Sequence, residues 1–219
     1  MEAEIKTKCS LNCQFEELLC NWLETWTLQN RLESKGRFFV GTTSDALKSI
    51  GIDDYKIYWN EAKVAKIMSE HSGMTADVIK CVPEILKCPI LIMQSKTVSN
   101  RITMFGEVVD TNGKPVLAAL ELSPNKTGEI TDYIVIASAY GKKGAQNFIN
   151  SSNILYVEPN KKKTNKWLLV LGLQLPSAIT TYGPINNIHG FYEKINQKDS
   201  DINNNKTDAN TTPYKVVDF

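Results

Sequence analysis

The hydrophobic pattern changes period near Pro89, and that switch limits the folds open to this chain more than any other feature. Upstream, apolar residues recur at three- and four-residue spacing. Phe15, Leu18, Leu19, Trp22, Leu23 and Trp26 predict one helix over about 14–34 that ends near Gly36, with the two Trp on a shared face. Phe38-Phe39-Val40 reads as a short strand. Thr43-Ser44-Asp45 caps a short helix that Gly51 ends, and Ile57-Tyr58-Trp59 is a second extended piece. A helix over about 61–71 carries Val64, Ile67 and Met68 on one face and stops at His71-Ser72-Gly73. Thr75 caps another over about 76–87, which Pro83 is expected to kink or split.

Downstream, the runs become strand-length: Ile90–Met93, Ile102–Val109, Val116–Glu121, Ile134–Ala137 and Ile154–Val157. Asn112-Gly113 between two of them is a hairpin signal that pairs about 102–109 with about 115–122. Lys142–Ser151 reads as a helical or irregular link, and Trp167–Leu171 fits a helix or a strand. Helices first and strands after is the α+β pattern, with the N-terminal helices packed on an antiparallel sheet around a single main core. From Glu193 the chain turns to Asn, Asp, Lys and Thr, which bury too little apolar surface to order themselves, so 193–219 is expected to be a flexible polar tail.

Composition narrows the function classes. The chain has 219 residues, 42% of them apolar, enough for a sizeable core, and its net charge of +1 excludes a polyelectrolyte binder driven by overall charge. Five cysteines form no disulfide framework, and Cys9, Cys13 and Cys20 lack the second tight pair that zinc sites show. No leader is read in the polar start, Met1 to Asn12, and no apolar run approaches the ~18 residues needed to cross a bilayer. The expectation is a cytoplasmic protein with no membrane partner, metal or cofactor. Phosphate loops, nucleophile elbows, His-Glu-x-x-His pairs and DNA-specific motifs are absent from the sequence.

What remains is a set of polar groups in apolar surroundings. His71, one of two histidines, closes a helix beside glycine, and imidazole is the side chain best matched to proton transfer near neutral pH. His189 is the other. Gln94-Ser95-Lys96-Thr97 ends one strand and Arg101 opens the next, a pattern that fits a phosphate ligand or a solvated turn. Glu121 stands in an apolar strand as a solvent-face or site residue. Ala137-Ser138-Ala139-Tyr140-Gly141-Lys142 offers a hydroxyl, a phenol and the Lys142-Lys143 cations among small neighbours that let a ligand approach, and Tyr182 adds an aromatic. Between 89 and 166, ten Lys or Arg face six Asp or Glu, a local excess of four positive charges, and Lys161–Lys163 with Lys166-Trp167 resembles a basic RNA-binding surface.

Three segments carry a resemblance: His71-Ser72-Gly73-Met74-Thr75, Val82-Pro83-Glu84-Ile85-Leu86-Lys87-Cys88-Pro89 and Gln94-Ser95-Lys96-Thr97. Ile136–Lys142, Ile154-Leu155-Tyr156, Thr164–Leu168 and Leu173–Pro176 continue it. In order and spacing they resemble the C-terminal toxin domain attached to phage MuF-type head proteins, assigned to the barnase–EndoU–colicin D–RelE-like nuclease class. The resemblance covers roughly 37–189 and divides the chain into an N-terminal helical extension (1–36), an α+β domain (37–192) and the tail (193–219). It implies helices on a curved antiparallel sheet and a metal-independent ribonuclease toxin acting in a bacterial host. RNA would be its substrate and a cognate inhibitor or antitoxin its partner. It implies His71 as acid or base, Ser138 and Tyr140 as orienting or protonating groups, and Lys96, Arg101, Lys142 and Lys143 as phosphate ligands, with Glu121 and Tyr182 as further candidates. The alternative on the same fold is a non-catalytic protein that inhibits a host or phage-defence protein. An ADP-ribosyltransferase would need a Glu-x-Glu pair, which Glu121 lacks.

Overall fold

The structure, a computed structural model, describes residues 13–98, 100–122 and 133–186. These all fall in the first of two compact units, Met1–Asn187 and Ile188–Phe219. His189 and the 193–219 segment lie outside the described residues.

The predicted 14–34 helix is two helices. The first, α1 (Cys13–Thr25), buries Phe15, Leu19 and Trp22. The second, α2 (Leu28–Glu33), starts from Thr27, whose extended backbone breaks the helical path and whose hydroxyl accepts from the Asn30 N–H at 3.3 Å. Trp26 therefore leaves the face that Trp22 shares with the core: Trp22 is 4% exposed and Trp26 43%.

The remaining elements follow the order read from the sequence, except the short last strand, which that reading did not include. They are β1 (Arg37–Thr42), α3 (Asp45–Ser49), β2 (Lys56–Asn60), α4 (Glu61–Glu70) and α5 (Ala76–Lys87). After these come β3 (Leu91–Gln94), β4 (Arg101–Val109), β5 (Pro115–Glu121), β6 (Tyr133–Gly141) and α6 (Ala145–Ser151). The last are β7 (Ile154–Val157), α7 (Lys161–Val170) and the short β8 (Gly183–Pro184). All eight strands form one open sheet in the order β1-β2-β6-β5-β4-β3-β7-β8, so the fold is α+β. The sheet is not wholly antiparallel, which corrects the sequence reading. The β1–β2 hairpin belongs to the helical half of the chain, yet β2 pairs parallel with β6 through Ile57↔Ile134. Parallel pairing requires a long crossover, and α4, α5 and β3 to β5 supply it.

Helices pack on both faces of the sheet within the single α+β domain. On one face α1 sets Phe15 against Trp59, with ring centroids 6.4 Å apart, and α5 lies on β4 and β5. Gly106 of β4 admits α5 closely, because a Cβ there would meet the Ile85 backbone at 3.0 Å. Pro83 neither splits nor ends α5. Burial of Val82, Ile85 and Leu86 on either side of it offsets the lost backbone hydrogen bond. On the other face α6 and α7 bury Phe105, Leu117, Ile149, Trp167 and Leu168 together. Trp167–Leu171 thus resolves as helix, with Asn160 capping α7 through the Lys163 N–H. The sheet is strongly curved, since α3, which follows one edge strand, touches β8 at the other edge. No helix among the described residues is long and apolar enough to cross a membrane.

Candidate functional site

Where β2 stops pairing with β6, α4 takes its place beside the strand, and its last turn delivers His71 to the far end of β6. The His71 N–H is held by the Ile67 carbonyl, and the His71 carbonyl accepts from Met74, so the backbone around the imidazole is fixed while the ring stays exposed. Its ring stacks on Tyr140, with centroids 5.6 Å apart and planes inclined by 23°. The Lys142 ammonium lies 5.7 Å from the Tyr140 ring and 4.6 Å from that of Phe148. Imidazole, phenol and ammonium, drawn from two elements about seventy positions apart, therefore share one solvent-facing spot.

Asp110 is the brace behind them, and the sequence reading passed over it. It is 6% exposed, and its Oδ1 accepts from the Asn112 and Lys114 N–H groups at 2.9 and 2.8 Å, which shapes the β4–β5 hairpin. Gly113 takes the turn's positive φ of 72°. The other carboxylate oxygen rests against the α-carbons of Gly73 and Gly141, where no side chain fits. The Thr111 N–H bonds the Gly73 carbonyl and the Lys142 N–H bonds that of Pro115. The hairpin thereby clamps the segment after His71 to the end of β6. The available signal was an Asp two residues before Asn-Gly, the usual place for a side chain that folds back on its own turn.

The other predicted residues divide. Ser138, opposite Ala119, shares the sheet face of Tyr140 one pleat away, about 7 Å along the strand. Lys143 is exposed in the turn into α6. Lys96 is exposed in the β3–β4 turn, and Arg101 and Glu121 face each other across β4 and β5 at the end of the sheet opposite Tyr140. Arg101 and Glu121 form a 3.0 Å ion pair, with side chains 28% and 24% exposed, and the Arg101 Nε is buried without a hydrogen-bond partner among the described residues. Glu121 is thus paired across the strands and lies away from His71. Tyr182 packs against α7, donating to Asn165 at 3.3 Å beneath the Lys161 ammonium. Trp167 is turned into the core at 2% exposure, so the aromatic beside the basic α7 surface is Tyr182 and not the expected Trp167. Among the described residues no group of three or more His, Cys, Asp or Glu is placed to hold a metal ion.

Fold and site together define a curved α+β sheet with an imidazole, a phenol and an ammonium gathered at the end of one strand. The family model of the phage MuF-C-terminal domain matches residues 63–166, from within α4 to within α7, and so spans His71, Asp110, Tyr140 and Lys142. The match supports a phage origin. No curated protein and no solved structure matches the chain.

Proposed function

We propose that the chain is a metal-independent ribonuclease toxin of phage origin that cleaves RNA by internal attack of the 2′-hydroxyl. The observation that carries this reading is the stack of His71 on Tyr140 beside the Lys142 ammonium. His71 takes the 2′-hydroxyl proton as the 2′-oxygen bonds to phosphorus. The bond from phosphorus to the 5′-oxygen breaks, and the Tyr140 phenol gives the leaving oxygen its proton. That proton is restored to Tyr140 from His71 through solvent. Lys142 neutralises the phosphorane, Lys143 adds charge beside it, and Ser138 orients the substrate along the strand. Lys96 and Arg101 lie too far along the sheet to share that phosphate and serve flanking ones. The ends of the reaction are a 2′,3′-cyclic phosphate and a free 5′-hydroxyl.

The test is cleavage of total and synthetic RNA by the purified chain with a strong chelator present. A cyclic-phosphate product is expected, and His71→Ala should lower the rate by roughly a hundredfold or more with the fold retained. Activity lost to the chelator and restored by a divalent ion, or a folded wild type inert on every RNA, would overturn the reading. A non-catalytic inhibitor of a host or phage-defence protein is the second reading. What favours it is the surface of α1 and α2, where Leu18, Trp26, Leu28 and Leu32 are 37–50% exposed. Inert protein that captures a defined bacterial partner through that surface would establish it.

A further inference from the structure

The face of the sheet that α6 and α7 cover at one end is bare of described helices at the other. Arg101, Thr103 and Phe105 of β4 alternate onto that face, as do Glu121 and Leu117 opposite them on β5. Carried across β6 to β2 and β1, the same face holds Tyr133, Tyr58, Phe39 and Arg37, while Ile57, Trp59, Phe38 and Val40 point the other way into the α1 core. Phe39, Tyr58 and Tyr133 stand side by side on three adjacent strands, with successive ring centroids 5.7 Å apart. Each ring is half-buried, so each keeps exposed surface. The rings meet edge to face, at 63° and 88°, so no two of them are stacked face on face. The exposed Arg37 lays its guanidinium over two of them, 5.6 Å from the Tyr58 ring and 4.8 Å from that of Tyr133.

Cross-strand aromatic pairs stabilise sheets in any protein, and a purely structural row would serve best under cover. No described helix covers this row, which carries a planar cation and has the exposed Lys35 and Lys56 beside it. Unpaired bases stack on aromatic rings and on Arg guanidinium planes alike, with neighbouring cations holding the backbone. We infer that Arg37, Phe39, Tyr58 and Tyr133 form a stacking platform for unpaired bases of single-stranded RNA. The inference rests on the ribonuclease reading for the identity of the nucleic acid, and it adds a binding site separate from the reacting one. Tyr133 and Tyr140 are the two ends of β6, roughly 23 Å apart at the rise of a strand. A strand of RNA held on the platform reaches His71 along β6, passing the Arg101–Glu121 pair and Ser138.

The experiment is fluorescence anisotropy with a labelled oligouridylate, a blunt RNA duplex and inorganic polyphosphate, all in the His71→Ala protein so that the RNA stays intact. Tyr58→Ala and Tyr133→Ala should each weaken oligouridylate binding by roughly fivefold to a hundredfold. Polyphosphate binding should not change. Tyr58→Phe and Tyr133→Phe should restore affinity, which separates ring stacking from misfolding. Unchanged oligouridylate affinity in folded Ala variants, or equal losses for all three probes, would overturn the platform. No oligouridylate binding by any variant would do the same and assign the aromatic row to a protein contact. Platform-dependent binding by a wild type that cuts no RNA would leave the platform standing and remove only the ribonuclease reading. Cleavage with platform-independent binding would do the reverse.

Discussion

Asp110 lies between two glycines, and its carboxylate faces the α-carbons of both. Gly73 follows His71 by two residues and Gly141 follows Tyr140 by one, so the carboxylate packs on the backbone next to both stacked residues. Gly141→Ala places a methyl group on that carboxylate. It should cost about 1–3 kcal/mol of stability in urea unfolding, as overpacking does, and should separate His71 from Tyr140. The measured consequence is a loss of RNA cleavage larger than the loss of folded protein. Tyr156 of β7 is a different case. It is buried, and burial first, with the nearby Glu158 and Cys88 adding to it, pushes its phenol up from 10.0 to about 12. The folded state then holds a proton that the unfolded chain releases near pH 10. Its stabilising contribution is complete below about pH 10 and is lost as pH rises towards about 12, a change of about 2 kcal/mol. Wild-type urea midpoints should fall across that window more steeply than those of Tyr156→Phe. Parallel curves would show that Tyr156 titrates alike in both states.

Among the elements, α1 shows how one face becomes two environments. Phe15 and Leu19 are fully buried, Trp22 nearly so, and Trp22 meets Phe38 edge to face at 5.2 Å. Four residues later, beyond the end of the helix, Trp26 is open to solvent. Trp22→Ala should therefore cost about 3–5 kcal/mol in chemical unfolding. Trp26→Ala should stay within about 0.5 kcal/mol, as surface changes do. Equal effects would mean that both rings carry the packing of α1. The element that moved furthest from expectation is β6. Its run was read to Ala137, because Ser138, Ala139 and Gly141 carry little strand preference. The strand continues to Gly141 because β5 pairs along it, from Val116↔Gly141 to Ala119↔Ser138. Tertiary pairing overrides weak local propensity, and here it is what brings Tyr140 within reach of His71.

For the molecule as a whole, elements and connections were legible wherever a local signal carried them. The 3.6-residue period marked α4 and α5, the shift to strand-length runs marked β3, β4, β5 and β7, and Asn112-Gly113 marked the hairpin between β4 and β5. Burial of one helix face or of alternate strand positions requires those patterns, so they are written within a dozen residues. The sheet order was not legible. Ile57 pairs with Ile134 across about eighty residues, and nothing local to either strand names its partner or its direction. The candidate site divides along the same line. The residue types were visible in the sequence, with His71 at a helix end, Tyr140 and Lys142 after small residues, and Arg101 at a strand start. Which of them meet was decided by the register of β4, β5 and β6, which puts Tyr140 and Arg101 at opposite ends of one face, and by α4 filling the place that β2 vacates. Local periodicity follows from each segment hiding its own apolar face, whereas convergence follows from the way those faces share one curved sheet, and only the assembled fold contains that.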